Sequence, residues 1–166
     1  QATWEGFLLG PFFHNHLFHL FGDQLSFYLF GACIEIILGP AAYLALLATG
    51  LWLSNPLTQA LVGPALSRLS PASFAFFLTE RDYGSSNAVF AMVGAHAALL
   101  RRHAWLLVPF AIYGAIICLA RESWLALHHL LTLAAGFAAI RLWLRLRGRQ
   151  EASAPAPVLE AAAEKP

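Results

Sequence analysis

The 166 residues are 59% hydrophobic and 11% charged, with a formal net charge of +1 and a mean hydropathy of +0.63. An ordinary soluble domain carries roughly 25% charged residues, and a chain this apolar lacks the polar groups to cover its surface in water. Composition therefore excludes a freely soluble domain and predicts an all-α integral membrane protein in contact with the lipid bilayer; no nucleic acid is expected as a partner.

Gln1 stands where an initiator Met would, which points to residues upstream, and "QATWEGFLLGPFF" has neither the basic start nor the cleavage site of a signal peptide. A helix rises about 1.5 Å per residue, so roughly 20 apolar residues cross a bilayer core. Five segments come close to that length: 16–34, 39–54, 83–100, 104–120 and 123–143. Pro40 suits the first turn of the second, and Pro109 predicts a kink in the fourth. Residues 55–82 read as a long, Pro-punctuated connection. Its Phe74, Phe76, Phe77 and Leu78 suit a partly re-entrant or surface-lying segment, and a plain interfacial connector fits as well. The Ala/Pro/Glu composition after Gly148 predicts disorder. The expected organisation is a transmembrane domain over 1–145 and a disordered cytoplasmic tail over 146–166.

Arginines set the expected orientation. Arg101 and Arg102 lie between the third and fourth spans, and Arg141, Arg145, Arg147 and Arg149 close the fifth; only Arg68, Arg81 and Arg121 fall on the other side. The positive-inside tendency then places the C-terminus in the cytoplasm and the long connection outside, with the plasma (inner) membrane as the expected location. Cys33 and Cys118 each sit in an apolar segment, where neither a disulfide framework nor a metal quartet can be built.

Ionisable groups at bilayer depth are costly, which makes His19, Asp23, Glu35, His96, His128 and His129 the informative positions. His19 and Asp23 are four apart and share a helical face. His14 and His16 cluster with them at the outer end of the first span, Ser86 opens the third on the same side, and His128 and His129 lie in the outer part of the fifth. A hydroxyl, a carboxylate and several imidazoles thus converge toward one leaflet. Serine next to histidine is the arrangement for acyl transfer, and the unpaired N–H groups at a helix start can stabilise an oxyanion. Other readings stay open at this point. "GSS" also suits close helix packing, the three histidines suit interfacial anchoring or a metal, though their spacing fits no strong zinc motif, and His96 suits either a tetrapyrrole or helix packing. No cofactor and no metal are expected.

These residues also carry a resemblance. Trp4-Glu5, His14, His19-x-x-x-Asp23, Gly31 and Glu35-x-x-x-Gly39 resemble the W-R opening, the H…HxxxN segment and the E-x-x-x-G helix end of the rhomboid intramembrane serine proteases. "GSSNAVF" is similar to the family's G-x-S-G serine motif, and "HHLLTLAAG" to its H-x-x-G-x-x-x-G helix, with His129, Thr132 and Gly136 at the three positions. The resemblance spans roughly residues 4–143. It implies a rhomboid-like helical bundle with five transmembrane helices visible and the family's first helix upstream of Gln1 or absent. It implies Ser86 as nucleophile, His129 as general base, Phe90 stacked on the imidazole, and His19 and the Asp23 position at the oxyanion. Substrates would be transmembrane-segment proteins.

Four positions depart from the family pattern. Asp23 replaces an Asn whose amide helps hold the oxyanion; an ionised carboxylate cannot donate, whereas a protonated one could. Asn87 and Thr132 each replace a glycine where helices approach, and Glu5 replaces an arginine. Two functions therefore stand side by side. One is a serine endopeptidase cleaving transmembrane segments through a Ser–His dyad. The other is a catalytically inactive, rhomboid-like accessory subunit that binds partner membrane helices in a larger complex. Glu35 is expected to tether a turn rather than take part in chemistry.

Overall fold

Long apolar runs leave the backbone few ways to satisfy its hydrogen bonds internally, and the helix is the one that needs no second segment. The computed structural model describes residues 4–69, 84–120 and 126–153, and among these every regular element is helical. Helix α1 (Trp4–Leu9) passes into a 3-10 turn at Gly10–Phe12. Helix α2 (Leu17–Leu38) starts at His16, whose Nδ1 accepts the His19 N–H at 3.1 Å and so does the work of an N-cap. It stops at Gly39, whose φ of 87° is open to glycine at little cost and whose N–H bonds the Glu35 carbonyl at 2.8 Å. Pro40 then opens α3 at a position that needs no N–H.

Helix α3 is continuous through Pro40–Ala48, a widened turn at Thr49–Leu53, and Ser54–Leu69. The second span therefore does not end near residue 54. Residues 55–69, expected as connection, extend the helix, because the Leu/Ala/Gln-rich stretch between Pro56 and Pro64 favours it enough to absorb two missing donors. Phe74, Phe76, Phe77, Leu78 and Arg81 lie outside the described residues. Helix α4 is Ser86–Leu99, α5 is Leu107–Ala120 after a 3-10 segment at Arg101–Leu106, and α6 is Ala126–Ser153. Pro109 falls just after the point where the 3-10 segment gives way to α-helix. Residues 146–153, expected in the tail, continue α6; residues 154–166, Arg121 and the start of the expected fifth span lie outside the described residues. Two helices, Leu17–Leu38 and Leu127–Arg147, are long and apolar enough to cross a membrane, and Pro40–Leu53 and Ser86–Leu99 are shorter apolar helices. Glu35 is exposed, and among the described residues only its backbone carbonyl ties the turn.

The packing turns on α4. Every residue from Asn87 to Ala98 is buried, and half of them are Ala or Gly: Ala88, Ala91, Gly94, Ala95, Ala97 and Ala98. Large apolar side chains instead face outward, with Phe18 88% and Ile36 84% exposed. Helices α4 and α6 run parallel and in close contact. Gly94 faces the backbone at Leu133 and Phe137, and Gly136 faces the backbone at Ala91. A Cβ on Gly136 would run into the Ala91 carbonyl oxygen, and one on Gly94 into that of Leu133. Gly50 of α3 meets Ala88 in the same way.

This geometry predicts that Gly136→Ala and Gly94→Ala each lower stability by about 1–3 kcal/mol through overpacking. Gly22→Ala, where a Cβ meets nothing within 4 Å, should leave stability unchanged or raise it. Thermal unfolding of the purified variants in detergent checks the contrast.

Candidate functional site

Ser86 is the first residue of α4 and His129 lies on the first turn of α6, so parallel packing of the two helices sets their starts side by side. Ser86 Oγ and His129 Nε2 are 2.7 Å apart, across 43 residues of sequence. Phe90, one turn after Ser86, stacks on the His129 ring at 4.6 Å between centroids and 26° between planes. Phe90 is itself buttressed by Phe110 of α5, edge-on at 5.3 Å. The imidazole is thus held by a hydroxyl on one edge and an aromatic face on the other. Both Ser86 and His129 are half-buried, open to a reactant, while the neighbouring His128 is only 1% exposed and is turned into the bundle.

A neutral imidazole Nε2 at this distance can accept the serine proton as the oxygen attacks an electrophile. The Ala88 and Val89 N–H groups bond the Ser85 carbonyl at 2.9 and 3.2 Å, so an oxyanion formed at Ser86 would be met by the Ser86 N–H at the positive end of α4. Thr132 and Asn87, which depart from the family pattern, are both buried without separating the helices. The Thr132 hydroxyl folds back on its own helix, donating to the His128 carbonyl at 2.8 Å, with the His129 carbonyl at 3.1 Å. Gly94 and Gly136 supply the close approach in its place.

Asp23 directs its hydrogen bonds to the residue before Ser86 and to His14 rather than to the dyad. Its Oδ2 accepts three hydrogen bonds: from the Ser85 N–H at 3.1 Å, from the Ser85 hydroxyl at 2.8 Å, and from His14 Nε2 at 3.1 Å. Ser85 is the residue immediately before α4, so the carboxylate pins the start of the serine helix to α2 from outside the helix. The position expected to face an oxyanion therefore serves as an anchor, because an ionised carboxylate seeks donors and Ser85 presents two. His19 Nε2 lies 3.8 Å from the same oxygen, with its ring T-shaped against His14 at 5.0 Å. A Cβ on Gly84 would sit 2.8 Å from His19 Cε1; with φ at 107°, that position calls for glycine twice over. The Gly84 N–H bonds the Gly10 carbonyl at 3.3 Å, which ties the same strap to the end of α1.

His14 and Ser85 carry more of the site than their sequence pattern suggested. The signal that could have found Ser85 is its place between a glycine and the helix start, opposite a carboxylate. At the other end of α4, His96 Nε2 is 2.8 Å from His103 Nδ1, the rings stack at 5.0 Å, and Phe30 meets His96 edge-on at 5.3 Å. That is the packing role rather than a ligand's. Among the described residues no group of three or more His, Cys, Asp or Glu side chains is placed to hold a metal ion.

Removing the anchor leaves two buried donors of Ser85 unmatched. Asp23→Ala is expected to destabilise the protein by about 3 kcal/mol. Asp23→Asn should cost about half as much, since an amide oxygen still accepts from Ser85 without the charge. Thermal unfolding of the two variants measures this order, and an unchanged midpoint for Asp23→Ala would contradict the anchoring role.

Comparison with protein-family models, with curated proteins and with solved structures finds no match, so the geometry and chemistry of these residues carry the functional reading.

Proposed function

We propose that the chain is a rhomboid-like integral membrane protein whose Ser86–His129 dyad hydrolyses peptide bonds in transmembrane segments. The observation that carries this reading is the 2.7 Å contact between Ser86 Oγ and His129 Nε2, with Phe90 stacked behind the imidazole. The membrane setting is supported by composition, by the two helices long enough to cross, and by the outward-facing Phe18, Phe21, Tyr28 and Ile36. Arginine placement favours a cytoplasmic C-terminus in a plasma (inner) membrane.

In this mechanism Ser86 Oγ attacks the scissile carbonyl carbon while His129 Nε2 takes its proton. The tetrahedral oxyanion is met by the Ser86 N–H at the start of α4 and by His19, which lies against Gly84 two residues before the serine. Collapse expels the amine, which leaves with the proton from His129, and Ser86 carries the acyl group. Water, activated by the same imidazole, then releases the acid and restores the serine.

One feature of the fold favours the second reading, an inactive subunit that binds partner membrane helices. A cavity of about 520 Å³ opens between α3 and α6, with Leu46, Leu57, Leu61 and Leu131 on its walls beside small residues such as Gly50 and Gly136. Apolar walls with glycine and alanine among the leucines suit the approach of another helix.

Cleavage of a transmembrane reporter by the purified, reconstituted protein separates the two. Ser86→Ala and His129→Ala should each reduce the rate by at least about a thousandfold, to background. Asp23→Asn should retain activity per folded molecule within a few-fold, because its carboxylate holds Ser85 rather than the oxyanion. Cleavage that survives Ser86→Ala would refute the dyad, and no cleavage by any form would favour the inactive subunit.

A further inference from the structure

The end of the bundle opposite Ser86 gathers positive charge from two helices. Ala98 and Ile140 pack in one buried cluster, so the residues that follow them emerge at one level. Arg101 and Arg102 follow the end of α4, and Arg141 and Arg145 occupy successive turns of α6. Arg101, Arg102 and Arg145 are exposed and Arg141 is half-buried. Among the described residues none of the four has an ion-pair partner, and Glu35, at the end of α2, is exposed without one as well.

Apolar surface is interleaved with that charge. Leu142 is 58% exposed and Leu146 50%, and the Arg147 guanidinium lies over the Trp143 ring at 5.3 Å. Along α6, Arg141 lies about 18 Å and Arg147 about 27 Å beyond His129, at about 1.5 Å per residue. If the dyad opens toward one face of a bilayer with a hydrocarbon core of about 30 Å, this segment reaches the opposite headgroup layer. Tryptophan and arginine are the residues that suit that boundary, the ring at the interface and the guanidinium reaching to phosphate.

We infer that Arg101, Arg102, Arg141 and Arg145 form a docking surface for the phosphate headgroup of an anionic phospholipid, with Leu142 and Leu146 against its acyl chains. The inference rests on the membrane setting of the proposed function and not on the dyad. A ligand must satisfy unpaired guanidinium groups and exposed leucines within the same two turns. A phosphate joined to acyl chains does both, and the guanidinium fork matches phosphate oxygens two at a time. An acidic peptide would meet the charge and leave the leucines uncovered.

Native mass spectrometry of the detergent-purified full chain, offered equal amounts of phosphatidylglycerol and phosphatidylcholine of the same chain length, tests the surface. Wild type should retain phosphatidylglycerol in excess. R101Q/R102Q and R141Q/R145Q should each reduce that excess, by up to about fivefold per arginine at low salt, and R68Q, on the far end of α3, should not. Glutamine keeps the helix, and circular dichroism together with unchanged phosphatidylcholine retention confirms folding. Equal retention of the two lipids by wild type, or an excess that survives all four substitutions, would overturn the inference. So would full displacement of the lipid by millimolar inorganic phosphate, which would make the site one for free phosphate. Ser86→Ala should keep the lipid preference, so failure of the protease reading and failure of this one are told apart.

Discussion

The contact between the backbones of α4 and α6 is the constraint on which the rest depends. Two parallel helices can set the side chains of their first turns at hydrogen-bond distance only if the helices themselves come close. Gly94 and Gly136 remove the atoms that would hold them apart, each facing backbone of the opposite helix. With that distance set, Ser86 and His129 meet, Phe90 reaches the imidazole face, and Thr132 is accommodated by turning its hydroxyl onto its own carbonyls. A glycine at 132 is unnecessary once residues 94 and 136 carry the approach.

Closeness alone does not orient the serine. The strap at Gly84–Ser85 is held at three points: the Gly10 carbonyl, the Asp23 carboxylate and the His19 ring packed over Gly84. Asp23 acts here as an external cap for α4, drawing both donors of Ser85 toward α2 and recruiting His14 as a third. A charge near a helix N-terminus is favourable in its own right, as the first N–H groups carry partial positive charge. The carboxylate at Asp23 reads, in place, as reinforcement of the start of the helix that carries Ser86.

Much of this was legible in the sequence, and the misses have physical causes. The helical character was visible because sustained hydrophobicity is a strong signal, but among the described residues only Leu17–Leu38 and Leu127–Arg147, of the five expected spans, are long and apolar enough to cross a membrane. Gly39–Pro40 marked a helix boundary correctly. Ser86, His129 and Phe90 could be placed because a resemblance supplied an order of motifs, which spacing by itself does not. Residues 55–69 were misread because Pro56 and Pro64 suggested a connection, whereas a long helix tolerates an isolated proline when its neighbours favour helix. The tail was expected from the Ala/Pro/Glu composition after Gly148, yet the stretch up to Ser153 precedes the first of those prolines and continues α6. Asp23 was assigned by position in a motif. Its partners, Ser85 and His14, are 62 and 9 residues away, and no local pattern announces a bond of that kind.

Ser85 and Ser86 are adjacent hydroxyls in opposite circumstances, one tied to a carboxylate and one to an imidazole. Fluorophosphonate labelling of the detergent-solubilised protein, with the modified residue mapped by peptide mass spectrometry, tests that difference directly. The adduct should fall on Ser86 and should disappear in His129→Ala while surviving Asp23→Asn. An adduct on Ser85, or one on Ser86 that forms equally well without His129, would contradict a dyad built by the approach of α4 and α6.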